Sequence, residues 1–522
     1  MLSLTDLFAE HKQLLVGFAL AFVIVLYLAT PKKHAGKNLP PVLPYWIPFV
    51  GSFLPFAKDP IQMVLDGYRL KGPCYTAKMF GQDLTFLIGP EAHEAFYKPN
   101  DDYLSQAEVY QLMTPVFGPG LVYDAPPKRR AQQMQFMANG LRVSRMKKYV
   151  DKIRFEAEAY FGEFPNDSTI NLKKTFAELA ILTASRALLG DEVREHLFKE
   201  VSSLYCDLDG GTTAFSFFFP YAPTPAHQRR DAARTKMMQL FAGVIKARRE
   251  SGKRVRAMLL SGVLSSNGTQ FFLTMQADDI LDTFMNSEYK DTPGVNIPDD
   301  HIVGLLIALL FAGQHTSSLT LTWAVIELTL LQPGMMYVAC FVAVQLTLVM
   351  SSDKILEEQK QVLGDAGNDG LTFDNLNNMP VLHACIKETL RLTPPLIFLM
   401  RKVMKDITCG EYTIPAGHIV FSSPAAANRL SDFWSNPDSY DPMRFLDGRN
   451  EEDRAPYTNV SFGGGMHGCM GQQYAYIQIK IILSIFFRQF NVEVLDKKFP
   501  KQDFTALVVP PMGDTLARVT RK

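Results

Sequence analysis

The sequence has no excess of charge of either sign. Its 522 residues include 53 basic and 53 acidic side chains, so no net field would attract nucleic acid. We also find no long linker, internal repeat or low-complexity tract. Nearly half of the residues, 47%, are hydrophobic, which is enough for one large core within a largely helical pattern. We therefore expect a mainly α fold with small β-sheets and no nucleic-acid partner.

Paired cysteine spacing is lacking too. The six cysteines are scattered along the chain: Cys74, Cys206, Cys340, Cys385, Cys409 and Cys469. This distribution is typical of a reducing compartment and not of a disulfide framework.

One uncharged run stands near the N-terminus. Residues Leu14 to Ala29 are apolar, and Lys32 and Lys33 follow closely, as in a cytosolic flank under the positive-inside rule. A helix over this run would span roughly 24 Å, which suits the thinner endoplasmic reticulum membrane. An uncleaved single-pass anchor is the favoured interpretation, and a cleaved signal peptide or a buried helix are the alternatives.

A stiff proline-rich connector, Leu39 to Pro44, follows the run. The predicted organisation is an anchor with its basic flank over residues 1–34 and one globular body over residues 35–522. A cytosolic body would leave the sequons at Asn166, Asn267 and Asn459 unmodified.

A glycine-rich loop presents one cysteine near the start of a predicted helix. Four glycines between Phe462 and Cys469 allow positive φ and the close approach of a flat partner. Helical spacing begins at Gln472, so unpaired N–H groups would favour the thiolate. A thiolate offered by such a loop suits the axial position of haem iron. A buried free cysteine beside a turn is the alternative.

A long apolar helix is predicted from Asp299 to Leu331, with the unusual heptapeptide Ala312 to Ser318 in its middle. Glycine and hydroxyl residues weaken the helical hydrogen-bond ladder, so we expect a local groove there. For dioxygen chemistry at a haem, Thr316 would supply a hydrogen-bond donor and His315 a proton path. A satisfied buried histidine beside a back-bonded threonine is the alternative.

Two stretches rich in proline, glycine and aromatic residues have too many apolar side chains for solvated loops. Tyr110 to Asp124 is either a loop packed on the core or a substrate-facing wall whose Tyr110 and Tyr123 hydroxyls reach a cofactor carboxylate. Phe215 to Pro225 interrupts predicted helices between Tyr149 and Lys246, either as a membrane-touching entrance loop or as a core plug.

A charged triplet is predicted to be structural. Glu388 and Arg391 stand at i, i+3 on one helix face, and Arg444 is the expected third partner if the cluster is buried, since a lone buried charge is costly. Strands are expected from Tyr75 to Leu87 and within residues 394–417, where Arg401 would pair with a haem propionate in bidentate fashion.

Three motifs occur in chain order. They are Ala-Gly-x-x-Thr from Ala312, Glu-x-x-Arg from Glu388 with a later Pro-x-Arg-Phe at Pro442, and Phe-x-x-Gly-x-His-x-Cys-x-Gly from Phe462. In combination they resemble the cytochromes P-450 over nearly all of the chain beyond the anchor. The resemblance implies an α+β cytochrome P-450 fold with the haem buried between a long central helix and the Cys-bearing loop.

Within that superfamily, the heptapeptide and the stretch Tyr110 to Asp124 look like those of the sterol 14α-demethylases. Most cytochromes P-450 carry an acidic residue at the position of His315 and an arginine at that of His467. Histidine at both positions is similar to the sterol 14α-demethylases. The resemblance implies a haem-thiolate monooxygenase of sterol biosynthesis. It would remove the 14α-methyl group of lanosterol-type sterols in three oxidations, through alcohol and aldehyde to formate and a new 14,15 double bond.

Each oxidation would use one dioxygen and two electrons from NADPH, delivered by the membrane-bound NADPH–cytochrome P-450 reductase. By the same likeness the enzyme would reside in the endoplasmic reticulum membrane with its catalytic domain in the cytosol. The alternatives are a cytochrome P-450 acting on another hydrophobic substrate, or an inactive haem- or sterol-binding protein.

The resemblance also implies roles for single residues. Cys469 would be the proximal ligand of haem b, in a loop that includes Phe462 and Gly463, and Thr316 with His315 would handle oxygen activation and proton delivery. The haem propionates would be held by Tyr110, Tyr123, Arg401 and His467. Apolar residues would line the sterol cavity: Leu112, Met113, Phe117, Leu309, Ala312, Leu396, Leu507 and Val508. Leucine at position 112 favours a lanosterol-type substrate.

Two apolar segments depart from the family pattern, near residues 254–276 and 337–352. We interpret both as translated non-coding sequence or a gene-model artefact, and a functional lid or partner site is the alternative. Exposed apolar loops are aggregation liabilities, so the insertions put activity in doubt. A smaller departure is Met134, near where relatives often place a basic residue against a propionate, and Arg129 or Arg130 would compensate.

Overall fold

The computed structural model describes residues 36–212, 216, 219–260, 279–330, 352–446 and 448–522, together with 17 and 21–22. At 252–260 and 352 the backbone alone is described. The predicted anchor and most of both predicted insertions lie outside the described residues. The chain forms two compact units: Met1–Val109, Ile397–Leu430 and Ala455–His467 make the first, and Tyr110–Leu396, Ser431–Arg454 and Gly468–Lys522 make the second.

The first unit contains short helices and most of the strands. Its elements are α1 Phe53–Lys58, α2 Pro60–Lys71, β1 Cys74–Met79, β2 Gln82–Leu87, α3 Pro90–Tyr97, β3 Leu104–Ser105, β5 Leu399–Val403, β6 Ile407–Cys409, β7 Tyr412–Ile414, β8 Ile419–Ser422, α16 Pro424–Ala427 and a 3-10 turn at Gly465–His467. Five strands form one sheet in the order β1-β2-β8-β5-β3, and β6 and β7 form a separate hairpin. The strands predicted from Tyr75 to Leu87 and the hairpin predicted near residue 410 are confirmed.

The second unit is mainly helical. Its helices are α4 Thr114–Phe117, α5 Pro127–Gly140, α6 Val143–Gly162, α7 Leu172–Ala184, α8 Asp191–His196, α9 Phe198–Gly210, α10 Pro225–Leu260, α11 Ile280–Met285, α12 Asp299–Leu330, α13 Ser352–Leu363, α14 Phe373–Asn377, α15 Pro380–Leu392 and α17 Gln472–Gln489. β4 Asp167–Asn171, β9 Phe490–Val494 and β10 Leu516–Arg521 form an antiparallel sheet in the order β4-β10-β9. The predicted run of helices is confirmed, and residues 219–224 of the predicted break are not helical; residues 213–215 and 217–218 lie outside the described residues.

Helix α12 is the core helix of the second unit. Among the described residues it is the one helix long and apolar enough to cross a membrane, but 72% of its apolar window is buried inside the protein. Residues 302–310 and 317–328 are buried on every side, which explains why its sequence has no polar face. The helix is unbroken across the heptapeptide, so the predicted weakening of its ladder is wrong. Thr316 Oγ1 and Thr320 Oγ1 donate to carbonyls one turn earlier without interrupting the helix.

The predicted charged triplet is buried, as its structural role requires. Arg391 binds the Glu388 carboxylate through Nε and Nη2 at 2.7 and 2.9 Å, and Arg444 Nε contacts both carboxylate oxygens at 3.1 Å. All three side chains are fully buried. Glu451, which sequence reasoning missed, accepts from Arg444 Nη1 at 2.8 Å and balances the second arginine. The cluster joins α15 to the later segment of the second unit that contains Arg444 and Glu451.

A further buried carboxyl lies close to this cluster. Glu327 near the end of α12 is 1% exposed and accepts from Thr393 Oγ1 at 3.3 Å. Burial and the Glu388 charge raise its pKa to about 8, against opposing hydrogen bonds and Arg391. Glu327 is therefore largely protonated at neutral pH.

Glu327→Gln is expected to flatten the pH dependence of stability. The folded-state pKa is raised, so the stability contributed by the protonated carboxyl is fully present below pH 4.5 and is lost as the pH rises to about 8. The loss amounts to about 1.4 kcal/mol per pH unit in that window. In urea unfolding from pH 5 to 8, the free energy of unfolding of the wild type minus that of the variant should fall with this slope, because other titrating groups contribute equally to both proteins. The exposed Glu163→Gln is the control, and an identical slope in Glu327→Gln contradicts the prediction.

Two glycines of α12 offer a second test. A Cβ on Gly304 would lie 2.1 Å from Leu121 Cδ1 and 2.4 Å from the Phe117 carbonyl oxygen, whereas a Cβ on Gly313 would meet no described atom within 4 Å. Gly304→Ala should cost about 1–3 kcal/mol through overpacking. Gly313→Ala should be neutral or slightly stabilising, because alanine favours helix by about 1 kcal/mol. Thermal unfolding of the two variants compares them, and equal stabilities would overturn the expectation.

Candidate active site

Cys469 lies where the sequence predicts it, just before a helix in the second unit. Helix α17 begins at Gln472 with Gly471 as its N-cap, and the Cys469 sulphur accepts hydrogen bonds from the amides of Gly471 and Gln472. The residue is exposed, yet desolvation of the sulphur raises the pKa of the thiol more than the two N–H groups lower it. The predicted preference for the thiolate is therefore wrong for the protein alone. A coordinated metal ion would supply the positive charge that the thiolate needs.

The preceding part of the loop belongs to the first unit and depends on glycine. Gly463 and Gly465 have φ of 70° and 62°, in the left-handed region that favours glycine. A Cβ on Gly465 would lie 2.1 Å from the Tyr97 carbonyl oxygen, so the loop lies directly against α3. Phe462 is half-buried in the same segment.

Two residues that are predicted to hold propionates, His467 and Arg401, make contacts within the first unit. His467 Nε2 lies 2.8 Å from Asp101 Oδ1. Arg401 is buried, donates from Nη1 to the Phe96 carbonyl at 2.6 Å and places its guanidinium 4.5 Å from the Phe96 ring centroid. These contacts fix the orientation of both side chains, and sequence reasoning predicted neither of them.

The second unit brings two tyrosines, an arginine and the cysteine together. Tyr110 and Tyr123 stack with ring centroids 4.8 Å apart. Burial raises the pKa of Tyr123 well above its usual value, Tyr110 and Cys469 raise it further, and Arg130 opposes them. These effects require Tyr110, Arg130 and the Cys469 sulphur each to be near the Tyr123 hydroxyl.

The structure also distinguishes the two arginines proposed to compensate for Met134. Arg130 is only 5% exposed and acts on Tyr123. Arg129 forms an ion pair with Asp291 and lies 4.6 Å over the Tyr289 ring. Arg130 is therefore the basic residue on the inner side of α5.

An open patch interrupts the burial of α12. Between its two buried stretches, Ala312 is exposed and its neighbours Gly313, His315 and Thr316 are partly exposed. The Thr316 hydroxyl donates to the Ala312 carbonyl at 2.8 Å. The predicted groove is thus present as open space beside an intact helix, lined by small and hydroxyl-bearing side chains.

His315 has a carboxylate partner that sequence reasoning missed. Its Nε2 lies 2.8 Å from Asp209 Oδ1 on α9, and its ring lies 5.7 Å from Tyr205 and 6.3 Å from Phe311. Asp209 is half-exposed on an amphipathic helix. The local sequence distinguishes it in no way from Asp207, and only the packing of two distant helices identifies it.

The apolar residues predicted to line a cavity fall into two groups. Leu112, Met113, Phe117 and Leu309 are buried, whereas Ala312, Leu396, Leu507 and Val508 are exposed or partly exposed. The Phe117 ring lies 6.4 Å from Tyr123 and 6.0 Å from Phe311. Phe117 is therefore next to both the tyrosine pair and α12.

The sequence matches known proteins along almost its whole length. The family model for cytochrome P450 matches residues 40–333 and 351–517. The chain belongs to the cytochrome P450 family. Its cofactor is accordingly a haem iron with an axial thiolate, its activity is that of a monooxygenase, and NADPH through a reductase is the standard electron source of the family.

Within this family, curated proteins similar to the chain carry the names of sterol demethylases. A "Sterol 14-demethylase" of Arabidopsis thaliana is 41% identical over 99% of both chains, and an "Obtusifoliol 14-alpha demethylase" of Sorghum bicolor is 41% identical over 98% of this chain and 97% of its own. A "Lanosterol 14-alpha demethylase" of Bos taurus is 35% identical over 95% and 91%. The structure "Retinoic acid bound cyanobacterial CYP120A1" matches with a TM-score of 0.75 at 17% identity, covering 93% of this chain and 100% of that one. The last match supports the fold alone.

The second unit fits a flat anionic macrocycle. Cys469 is exposed and its sulphur is oriented by two amides. Tyr123 lies near that sulphur, with Arg130 and Tyr110 close to the same phenol, and α12 has a partly exposed patch that includes Ala312, Gly313 and Thr316. A thiolate donor, a buried cation and open space beside a helix are what a haem requires from its protein.

Proposed function

We propose that this protein is a sterol 14α-demethylase, a haem-thiolate monooxygenase that removes the 14α-methyl group of a sterol. The observation that carries the proposal is the pairing of His315 with Asp209 beside Thr316 at the open patch of α12. Relatives with demethylase names over nearly the full length support it. Bound haem would supply the binding and activation of dioxygen, and the residues below hold it and move protons.

Several residues are proposed to hold the haem. Cys469 would be its axial ligand, with Phe462 and Gly463 in the same loop. Tyr110, Tyr123, Arg401 and His467 would hold the propionates. Arg130 is proposed to join this set, because it is buried, its charge acts on Tyr123, and a guanidinium pairs well with a carboxylate.

Proton delivery is proposed to run from solvent to the open patch through Asp209, His315 and Thr316. Asp209 is half-exposed and so adjoins solvent, and its Oδ1 lies within ion-pair distance, 2.8 Å, of His315 Nε2. Imidazole transfers protons readily near neutral pH. Thr316 follows His315 in the chain and belongs to the same partly exposed section of α12, where its hydroxyl donates to the Ala312 carbonyl.

The sterol is proposed to contact the apolar residues around the open patch: Leu112, Met113, Phe117, Leu309, Ala312, Leu396, Leu507 and Val508. Leu112 favours a lanosterol-type substrate by its likeness to the family. Obtusifoliol is a second candidate, because two plant relatives at 41% identity carry that name.

We further propose a single-pass anchor within residues 1–34, a catalytic domain in the cytosol at the endoplasmic reticulum membrane and a membrane-bound reductase as partner. The two insertions are proposed to leave the fold intact. The family match omits residues 334–350, which overlaps the second insertion. On either side of the first, Arg248 and Asp279 form two hydrogen bonds of 2.9 and 3.0 Å, so the flanking elements stay joined.

A reconstituted turnover assay tests the proposed function. Full-length haem-loaded protein, reductase and NADPH are supplied with lanosterol or obtusifoliol, and formate and the 14-demethylated sterol are measured by mass spectrometry. We expect demethylation, faster with lanosterol. A red-shifted carbon monoxide difference spectrum shows an intact thiolate ligand. Protein with that spectrum that oxidises neither sterol contradicts the proposal.

Asp209→Asn should slow turnover at least about 10-fold, because removing a proton-transfer group typically costs more than this. Haem content and the spin-state change on adding sterol should not alter, since Asp209 contacts neither group in the proposal. The solvent isotope effect on turnover should rise. Asp207→Asn on the same helix is the matched control and should retain wild-type rates. Equal rates in both variants would exclude Asp209 from the proton path.

Arg130→Leu should lower the haem content of the purified protein several-fold, because it removes the buried cation near Tyr123. Arg129→Leu changes the neighbouring arginine, whose partners are Asp291 and Tyr289, and should retain haem. Haem per chain is measured by the pyridine haemochrome assay. Equal haem retention by the two variants would refute the assignment of Arg130.

A further inference from the structure

Two cysteines that are distant in sequence meet in the first unit. Cys74 begins β1 and Cys409 ends β6, and their thiol groups are joined by a hydrogen bond. Both side chains are reduced and buried, at 2% and 6% exposure. They belong to one apolar cluster that also includes Leu87 and Ile414. Sequence spacing gave no indication of this pair.

A groove gives small molecules access to the pair. Cys409 is on the wall of an open groove of about 650 Å³, together with Glu91, Lys98, Tyr103 and Asp406. Cys74 does not line the groove and is buried in the apolar cluster. A small neutral solute in the groove therefore meets Cys409 and not Cys74 at its wall.

The hydrogen bond makes the two thiols chemically different. It raises the pKa of Cys74, which burial raises further. It lowers the pKa of Cys409, against burial and the nearby Glu91 charge. The thiolate is the nucleophilic form of cysteine, and Cys409 is also the cysteine that lines the groove, so we assign Cys409 as the attacking sulphur and Cys74 as the resolving one.

We propose that Cys74 and Cys409 form a redox-reactive dithiol that hydrogen peroxide converts into an intramolecular disulfide. The Cys409 sulphur attacks peroxide, the O–O bond breaks, and a sulfenic acid and one water form. The Cys74 sulphur then displaces the hydroxyl of the sulfenic acid as a second water. In sum, two thiols and one peroxide give one disulfide and two waters, so the thiols are oxidised and the peroxide is reduced.

The setting is one in which such a bond is reversible. Disulfides in reducing compartments are usually transient and redox-sensing, and low-pKa thiols next to a resolving cysteine are typical of redox sensors. The bond would fasten the start of β1 to the β6–β7 hairpin. It would therefore rigidify the first unit.

Peptide mapping of the full-length haem-loaded protein tests the proposal. The protein is treated with graded hydrogen peroxide, quenched, unfolded in an alkylating agent and digested. We expect a bridged peptide containing Cys74 and Cys409 to account for most of both residues at a dose that leaves the buried Cys385 of the second unit reduced. Dithiothreitol should restore both thiols. The proposal is overturned if both stay reduced at doses that oxidise the exposed Cys206.

Two single variants separate the roles of the sulphurs. In Cys74→Ser, Cys409 should be trapped by dimedone as a sulfenic acid and no bridged peptide should form. In Cys409→Ser, Cys74 should remain a thiol. Dimedone labelling of Cys74 in Cys409→Ser that equals its oxidation in the wild type would overturn the order of attack. The mapping of the wild type needs no variant, so a variant that fails to fold leaves the proposal testable.

Discussion

The pairing of buried charges around Glu388 is the constraint on which the second unit depends. Two arginines and two carboxylates, all of them nearly without solvent exposure, neutralise one another across α15 and the segment that follows it. Removing one partner would leave an uncompensated buried charge, which typically costs about 3–5 kcal/mol. The protonated Glu327 beside the cluster follows the same rule, since burial leaves it neutral where it has no cation of its own.

Close backbone approach is the second constraint, and it explains where glycine is required. Gly304 allows the Phe117 carbonyl against α12, and Gly465 allows the Tyr97 carbonyl against the loop. Gly313 has the opposite role, because its lack of a side chain leaves space open in an otherwise buried helix. The same residue type thus builds tight packing in two places and room for chemistry in a third.

Several contacts for which we propose a chemical role arise between residues whose local sequences are ordinary. Asp209 and Asp207 have similar local sequences, but only Asp209 contacts α12, through His315. Likewise Arg130 and Arg129 are adjacent in sequence, but Arg130 is the buried one. Cys74 and Cys409 are neighbours because a strand and a hairpin enclose one apolar cluster. A helix or strand orients consecutive residues in different directions, so adjacent residues of the same type acquire different partners.

The sequence by itself determined the family, the cysteine at a helix start, the apolar core helix and the charged triplet, because each is written in local spacing and composition. It did not determine protonation. Desolvation raises the pKa of the Cys469 thiol and of the Glu327 carboxyl, and desolvation depends on everything packed around the two groups. It also did not determine the continuity of α12, since hydroxyl side chains that weaken an isolated helix are accommodated in a buried one. Tertiary structure alone decided these points, because burial and pairing are properties of neighbours that are distant in the chain.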